Sequence, residues 1–320
     1  MSVGGAATGT PAAEHAIDTD LVRRLLADQH PDLADLPLME VEAGWDNSMF
    51  RLGEQLVVRM PRRAAAAALI AHEQRWLPRL AHQLALPIPV PYRTGTPARG
   101  YPWSWSILPW LPGDSADQHP PFSDQAVPFA IFLRSLHTSP PADAPQNPVR
   151  GGPLGERAPF AEARLRRLSD STSLITSQIR RMWEAALRAP IDVAPTWIHG
   201  DLHPRNILVA HGAISGVIDW GDMAAGDRAT DLAAIWMLFD DPLVRDAAVA
   251  AYGELSPATL ARAQGWALHI AAALLDSGLV DNPRHALIGE RILRRLQDGA
   301  SPASSAPPDR GTRPARHRSE

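Results

Sequence analysis

The chain of 320 residues contains no cysteine, which excludes a disulfide framework, thiolate catalysis and cysteine-ligated zinc, and makes a reducing compartment the natural expectation. It contains no lysine either, so its basic side chains other than histidine are all arginines. Nothing reaches the roughly 18 consecutive apolar residues that a membrane span needs; the apolar stretch at residues 232–239 is too short. Residues 1–18 lack both a basic start and a sustained apolar run, the two parts of a secretory signal. Excess charge is missing too: a formal net charge of -4 and a pI near 6.3 give no sign of a nucleic-acid partner. Together these absences predict a cytoplasmic protein that binds neither membrane nor nucleic acid. What remains, 45% hydrophobic and 21% charged residues, is normal for a globular chain, and the length allows one large or two modest domains with an ample core.

The informative segment is Trp197-Ile198-His199-Gly200-Asp201-Leu202-His203-Pro204-Arg205-Asn206-Ile207-Leu208-Val209, followed by Gly216-Val217-Ile218-Asp219-Trp220-Gly221-Asp222. Asp201 and Asn206 are separated by Pro204, which rules out one regular helical face and predicts a loop turning both side chains toward one point. Residues 207–209 and 214–218 read as two strands joined at His211-Gly212, a hairpin that returns Asp219 to the side of Asn206. Phosphoryl transfer asks for such a set: a carboxylate to orient the attacking hydroxyl, oxygen ligands for Mg²⁺, and a cation on the phosphates. An Asn amide oxygen and a carboxylate are hard donors of the kind Mg²⁺ prefers, with nucleotide phosphates and water completing its octahedron.

The Asp-x-x-x-x-Asn loop, its hairpin and the Asp that follows resemble the protein-kinase-like fold. More narrowly, the His-Gly-Asp-Leu-His-Pro-x-Asn form with Ile-Asp-Trp-Gly resembles the aminoglycoside phosphotransferase family, over about residues 38–240. The resemblance implies an α+β, two-lobed protein-kinase-like fold. A small antiparallel-sheet N-lobe would occupy residues 14–107, a hinge 108–113, and a larger, mainly helical C-lobe with the catalytic loop and metal site 114–300. It implies Asp201 as catalytic base, Asn206 and Asp219 as Mg²⁺ ligands, and His199 and His203 as residues that shape the loop. The implied activity moves the γ-phosphoryl group of ATP or GTP onto a hydroxyl of a small molecule. Members of the family act on aminoglycosides, macrolides and several small hydroxylated metabolites, and the motifs do not separate these acceptors. A cationic antibiotic would need a carboxylate-lined cleft, and Asp222, Asp227, Asp240, Asp241, Asp276 and Asp281 all fall in the helical half. A solvated helix face is the plainer explanation of each except Asp222, which follows Asp219 closely.

Upstream, residues 40–43, 48–52 and 55–60 read as three antiparallel strands separated by Gly44-Trp45-Asp46-Asn47 and Gly53-Glu54. A Gly-x-Gly-x-x-Gly loop is absent. The turn carrying Gly44, Asn47 and Ser48 is the candidate phosphate lid, since the family covers the phosphates with a short polar loop at this place; an ordinary turn explains it equally well. With no lysine available, the cation that kinases set on the phosphates falls to Arg59, at the end of Leu56-Val57-Val58-Arg59, which keeps the charge but changes the geometry. Glu73, in a helix predicted over residues 62–77, can pair with Arg59, and a solvated surface pair is the competing reading. The strand-like segment at residues 103–113 ends in Pro and Gly, as a hinge would; the resemblance lays adenine against it, bonded to the backbone around Leu108 to Trp110.

Residues 1–13 and 301–320 are rich in Ala, Gly, Ser, Pro and Thr or Arg and read as disordered. A helix is predicted over 123–137 on the apolar positions Val127, Ile131 and Leu136, with His137 as its end residue. Past a Pro/Gly-rich connector at 140–159, further helices are predicted over 160–168, 174–189, 231–239, 242–252, 257–275 and 282–296. Asp231 reads as an N-cap, which by the resemblance also braces the catalytic loop. Two other activities compete. His199, Asp201 and His203 could ligate the metal of a phosphoesterase, although His269, His285 and His317 are scattered rather than clustered with them. The replacement of lysine by arginine keeps open a nucleotide-binding pseudokinase that acts through protein partners. Oligomeric state leaves no trace in the sequence.

Overall fold

The computed structural model describes residues 12–41 and 46–298. The expected disordered ends lie outside the described residues, apart from Ala12 and Ala13, which carry no regular structure. The N-terminal portion contains helix α1 (Thr19–Gln29), strands β1 (Leu38–Glu40), β2 (Asn47–Leu52) and β3 (Leu56–Pro61), helix α2 (Ala64–Leu80), and strands β4 (Arg93–Gly95) and β5 (Trp105–Pro109). The strands form one antiparallel sheet in the order β1-β2-β3-β5-β4. The expected meander is there, with its first strand shifted toward the N-terminus because Leu38 pairs with Leu52 and Glu40 with Phe50. Of the strand predicted at 40–43, residues 42 and 43 lie outside the described residues.

Helix α1 was not anticipated, yet its signals are local. Asp18 caps it, accepting from the Leu21 N–H at 2.8 Å, and Leu21, Val22, Leu25 and Leu26 share one buried face. They pack with Phe50, Leu52, Val58, Trp105 and Ile107 of the sheet as a small separate core. Full burial of such a side chain contributes about 1.5–3 kcal/mol. Helix α2 runs three residues past its predicted end, through Pro78, because Leu77 and Leu80 are both buried. Its far end joins the larger core of the helical portion, with Trp76 against Trp197 at 5.1 Å between ring centres.

After β5 come β6 (Asp114–Ser115), α3 (Ala126–Leu136), α4 (Ala158–Ser171), α5 (Ser177–Arg188), β7 (Thr196–Ile198), β8 (Ile207–Ala210), β9 (Ala213–Val217) and β10 (Ala224–Gly226). The chain ends in α6 (Ala229–Leu232), α7 (Ala234–Leu238), α8 (Pro242–Tyr252), α9 (Pro257–Asp281) and α10 (Pro283–Asp298). Strands β6, β8 and β9 form one small sheet and β7 pairs with β10. Helix α9 is the axis of this lobe, packed by α4, α5, α6 and α10. It extends past its predicted end at 275, and Gly278 makes the close crossing of α10 feasible: a Cβ there would lie 2.1 Å from the Ala286 nitrogen.

Two expectations are corrected. Helix α3 begins after a short 3-10 turn at Ser123–Gln125, and its inward face carries Phe129, Phe132, Leu133 and Leu136, whereas Val127 and Ile131 are exposed. Leu136 was a correct anchor of the periodicity, but Val127 and Ile131 were not, because this helix is hydrophobic nearly all round. The helix expected from Asp231 starts at Ala229 and divides at Ala233.

Candidate active site

The loop after β7 is held from below by one carboxylate. Asp231, fully buried within α6, accepts from the His199 N–H at 2.7 Å and the Gly200 N–H at 2.8 Å, and meets His137 Nε2 at 3.3 Å. His137, the C-cap of α3, reaches Tyr252 through its other nitrogen at 2.9 Å. Asp231 therefore works as a brace and not as an N-cap. Gly200 sits at φ +88, where a Cβ would lie 2.7 Å from the Asp222 carbonyl, so the chain can make this bend only with glycine.

Both loop histidines have assignable roles. His199 Nδ1 accepts from the Asp201 N–H at 3.2 Å while Nε2 donates to the Ile218 carbonyl at 3.0 Å, a pairing that one neutral tautomer satisfies. His203 Nδ1 accepts from the Arg205 N–H at 3.2 Å, leaving Nε2 3.4 Å from Asp201 Oδ2. Asn206 Nδ2 donates to the Asp201 carbonyl at 2.9 Å, which closes the loop on itself. Asp201 Oδ1 accepts from Arg150 Nη2 at 2.7 Å. Burial works to raise the Asp201 carboxyl, but the charge of Arg150 and the hydrogen bond from His203 outweigh it and hold the group well below the usual carboxylate range. Asp222 lies the other way: burial and the nearby Asp201 charge push its carboxyl up, against Arg150 and an Asn147 hydrogen bond.

The hairpin turns at His211 (φ 53) and Gly212 (φ 81), the left-handed pair of a two-residue turn. It brings the Ile218 N–H onto the Asn206 carbonyl at 2.9 Å, so Asp219 emerges beside Asn206 as expected. Asp219 itself adopts a left-handed backbone, φ 62 and ψ 65, a strain of about 1–3 kcal/mol for a residue other than glycine. Its carboxylate stays half exposed and faces the sheet lobe.

From that lobe Arg59 reaches across. Its Nη1 meets Glu73 Oε1 at 2.9 Å and its Nη2 meets Asp219 Oδ1 at 2.7 Å. With the Asn47 amide turned to suit its neighbours, the amide oxygen accepts from Arg59 Nε and Nη2 at 3.0 and 2.9 Å. The Arg59–Glu73 pair is buried, with side chains 6% and 1% exposed, which overturns the solvated-pair reading. Burial pushes the Glu73 carboxyl up to about 7 despite the arginine, whereas Arg59 stays charged, held by Glu73 and Asp219 against the cost of its own burial.

The other residues expected at the nucleotide are placed less favourably. Gly44 lies outside the described residues. Asn47 contributes through Arg59, and Ser48 is buried within β2, opposite Met60 on β3. Leu108 is buried opposite Val57. The Trp110 N–H already donates to the Gln55 carbonyl at 2.7 Å, so it is not the donor for adenine, while its exposed ring carries the Arg51 guanidinium at 3.9 Å.

Asn206 and Asp219 offer an amide oxygen and an open carboxylate, a donor pair that fits Mg²⁺ when nucleotide oxygens complete the shell. Among the described residues no group of three or more His, Cys, Asp or Glu is placed to share a metal ion; both His199 nitrogens are already engaged, by the Asp201 N–H and the Ile218 carbonyl, which counts against the phosphoesterase reading. No helix among them is long and apolar enough to cross a membrane.

A model of the phosphotransferase enzyme family matches residues 37–266. The chain belongs to that family. A protein of Bacillus subtilis, described as uncharacterized protein YcbJ, is 27% identical over 210 residues, which span 59% of this chain and 65% of that one, just under two thirds of its length. Among solved structures, the GDP complex of aminoglycoside 2'-phosphotransferase-IIIa superposes with a TM-score of 0.65 at 18% identity, covering 89% of this chain and all of the other. The macrolide 2'-phosphotransferase MphH of Brachybacterium faecium gives 0.56 at 20% identity, over 85% of this chain and 98% of its own. At such identities these two establish the shared fold, the two-lobed kinase-like architecture expected from the sequence.

Two polar residues that meet this phosphotransferase's loop were not anticipated, because the Pro/Gly-rich connector conceals them. Asn147 Oδ1 accepts from the N–H groups of Val149 at 2.8 Å and Arg150 at 3.0 Å, and its Nδ2 donates to Asp222 Oδ1 at 2.7 Å. That turn fixes the backbone from which Arg150 reaches Asp201. Most of the acidic residues considered for a cationic acceptor are committed elsewhere. Asp227 is buried against Arg262, Asp276 takes Arg167 on both oxygens, Asp240 takes Arg295, and Asp241 caps α8.

Proposed function

We propose that the protein transfers the γ-phosphoryl group of ATP, or of GTP, to a hydroxyl of a small molecule, with Mg²⁺ as its metal and the cytoplasm as its setting. The observation that carries this reading is the convergence of Asp201, Asn206 and Asp219 on one hairpin-closed loop, with Arg59 reaching Asp219 from the opposite lobe. Family membership supports it, as does a structural neighbour solved as its GDP complex.

Arg59, steadied by Glu73 and Asn47, would carry positive charge to the phosphates. Asn206 and Asp219 would hold Mg²⁺, which supplies neutralisation of the phosphate oxygens. Asp201 orients the acceptor hydroxyl and takes its proton as the new oxygen–phosphorus bond forms; the bond from phosphorus to the bridging oxygen breaks, and the nucleoside diphosphate leaves with that electron pair. Arg150 and His203 favour the charged form of Asp201, the form that can accept a hydrogen bond from the acceptor hydroxyl. His203 and Arg150 fix the carboxylate, and His199 and Asp231 fix the loop beneath it.

One observation favours the pseudokinase: the Arg59 guanidinium sits on the carboxylate that would hold the metal. A single assay separates the two readings. The protein is incubated with Mg²⁺ and ATP or GTP against hydroxylated compounds, including aminoglycosides and a macrolide, the classes in the names of the two structural neighbours. Diphosphate release matched by a phosphorylated product supports the kinase; tight nucleotide binding without transfer to any compound supports the pseudokinase.

A further inference from the structure

The catalytic loop is gripped from a second side, by the first turn of α10. Arg205, the residue before Asn206, sets its Nη1 2.6 Å from His285 Nε2, and both residues are half-buried. The main chain on the other flank of Asn206 is caught as well. There the Ile207 carbonyl accepts from the Ala116 N–H at 2.8 Å, in the segment that follows β6. Arg284 holds that segment, forking onto Asp117 at 2.5 and 2.9 Å and reaching the Ser115 hydroxyl at 2.6 Å. Further along α10, Arg291 donates to the Asp117 carbonyl at 3.2 Å. Two adjacent residues of one helix, Arg284 and His285, thus secure the chain on both sides of the residue that would hold the metal.

The helix end is itself fixed. The His285 N–H donates to Asn282 Oδ1 at 3.2 Å, and Gly289 lies so near α9 that a Cβ would come 2.6 Å from the Ala271 carbonyl. A guanidinium has donors only, so His285 Nε2 must be the acceptor and the ring proton must sit on Nδ1. A protonated ring would have no lone pair to offer and would set a second cation against Arg205. The surroundings oppose that charge. Burial, then Arg205 and His203 of the loop and Arg284 of its own helix, hold the His285 imidazole below the ordinary 6.5, while Asp117 pulls the other way. The positive end of the α10 dipole acts with the cations. Arg205 in turn is tied inward, since its N–H donates to His203 Nδ1 and His203 Nε2 lies 3.4 Å from Asp201 Oδ2.

We propose that His285 is a positioning residue of the phosphotransferase: by accepting a hydrogen bond from Arg205 it fixes the stretch of loop that carries Asn206. The proposal rests on the phosphotransferase reading for the metal, but the imidazole can be followed without nucleotide. Binding of a non-hydrolysable ATP analogue to the full-length protein is measured calorimetrically at pH 8, with and without Mg²⁺, in wild type, His285→Phe and His285→Gln. Phenylalanine keeps a ring without an acceptor; the glutamine amide oxygen restores one. The gain in affinity that Mg²⁺ brings is expected to fall about tenfold in His285→Phe, the size of one hydrogen bond to a charged group. It is expected to return in His285→Gln, while affinity without Mg²⁺ holds in both. Thermal unfolding verifies that each variant is folded. Imidazole NMR of the nucleotide-free protein should show His285 protonated on Nδ1 and titrating below 6.5, and Arg205→Ala should move that titration upward. A Mg²⁺ gain unchanged in folded His285→Phe, an equal loss in His285→Gln, or a His285 titration indifferent to Arg205→Ala would overturn the proposal. Wild-type protein that binds the analogue no better with Mg²⁺ would sink the kinase reading itself, and the role of His285 with it.

Discussion

Two buried arginines, Arg59 and Arg262, look alike in isolation and do different work. Arg262, 2% exposed, forks onto Asp227 at 2.6 and 3.2 Å and also reaches Asp192, Thr259 and the Pro190 carbonyl. Asp227 is itself 1% exposed, so the central pair is sealed. Arg59 is equally buried, yet one of its two carboxylates, Asp219, is 54% open and sits on a strained backbone. Burial of charge alone does not mark a site. An accessible partner does not mark one alone either, since Arg295 is buried against the exposed Asp240; what sets Arg59 apart is that its open partner, Asp219, emerges beside Asn206, where a protein contact can be traded for a ligand.

The comparison can be broken at either end. The largest effect on stability is expected from Arg262→Ala, which leaves Asp227 charged and unpaired in the core; loss of one partner of a buried pair costs about 3–5 kcal/mol, measurable as a lower denaturant midpoint. If Arg262→Ala unfolds at the wild-type midpoint, the sealed pair is not structural. Arg59→Ala should act mainly on the nucleotide, raising its KM about tenfold or more, with Arg59→Lys recovering part of the loss. Unchanged nucleotide affinity would remove Arg59 from the site and erase the contrast with Arg262. A smaller effect is expected at His269. Burial in α9 holds its folded-state pKa at about 3, below the ordinary histidine value of 6.5, so the unfolded chain binds the proton first and stability falls as pH drops from 6.5 toward 3. His269→Phe should flatten that part of the pH–stability curve; a curve of unchanged slope would show that the imidazole is not held neutral.

The same contrast explains what could be read without coordinates. The loop's geometry was legible because Asp201, Asn206 and Asp219 lie within one strand, loop and hairpin whose turn chemistry is local. Arg59 and Glu73 were legible through the resemblance, since fourteen positions of strand and helix separate them and nothing nearby announces the pair. Arg150 was not: it reaches Asp201 from 51 residues away, out of a segment whose prolines and glycines suggest only a linker. The acidic residues of the helical half misled for the complementary reason. Sequence supplies their charge but not their partners, and Arg262, Arg167 and Arg295 had already claimed Asp227, Asp276 and Asp240. Helix α1 was missed although Asp18 and its apolar face were both in view.

The central claim is that Asp201 orients the acceptor hydroxyl in a phosphoryl-transfer site. The most direct measurement is the kcat of Asp201→Asn with an accepted substrate, alongside its thermal unfolding. The account predicts kcat lower by about 10²–10⁴-fold, with a folded protein and a nearly unchanged nucleotide KM. Turnover retained by a folded Asp201→Asn enzyme would contradict it.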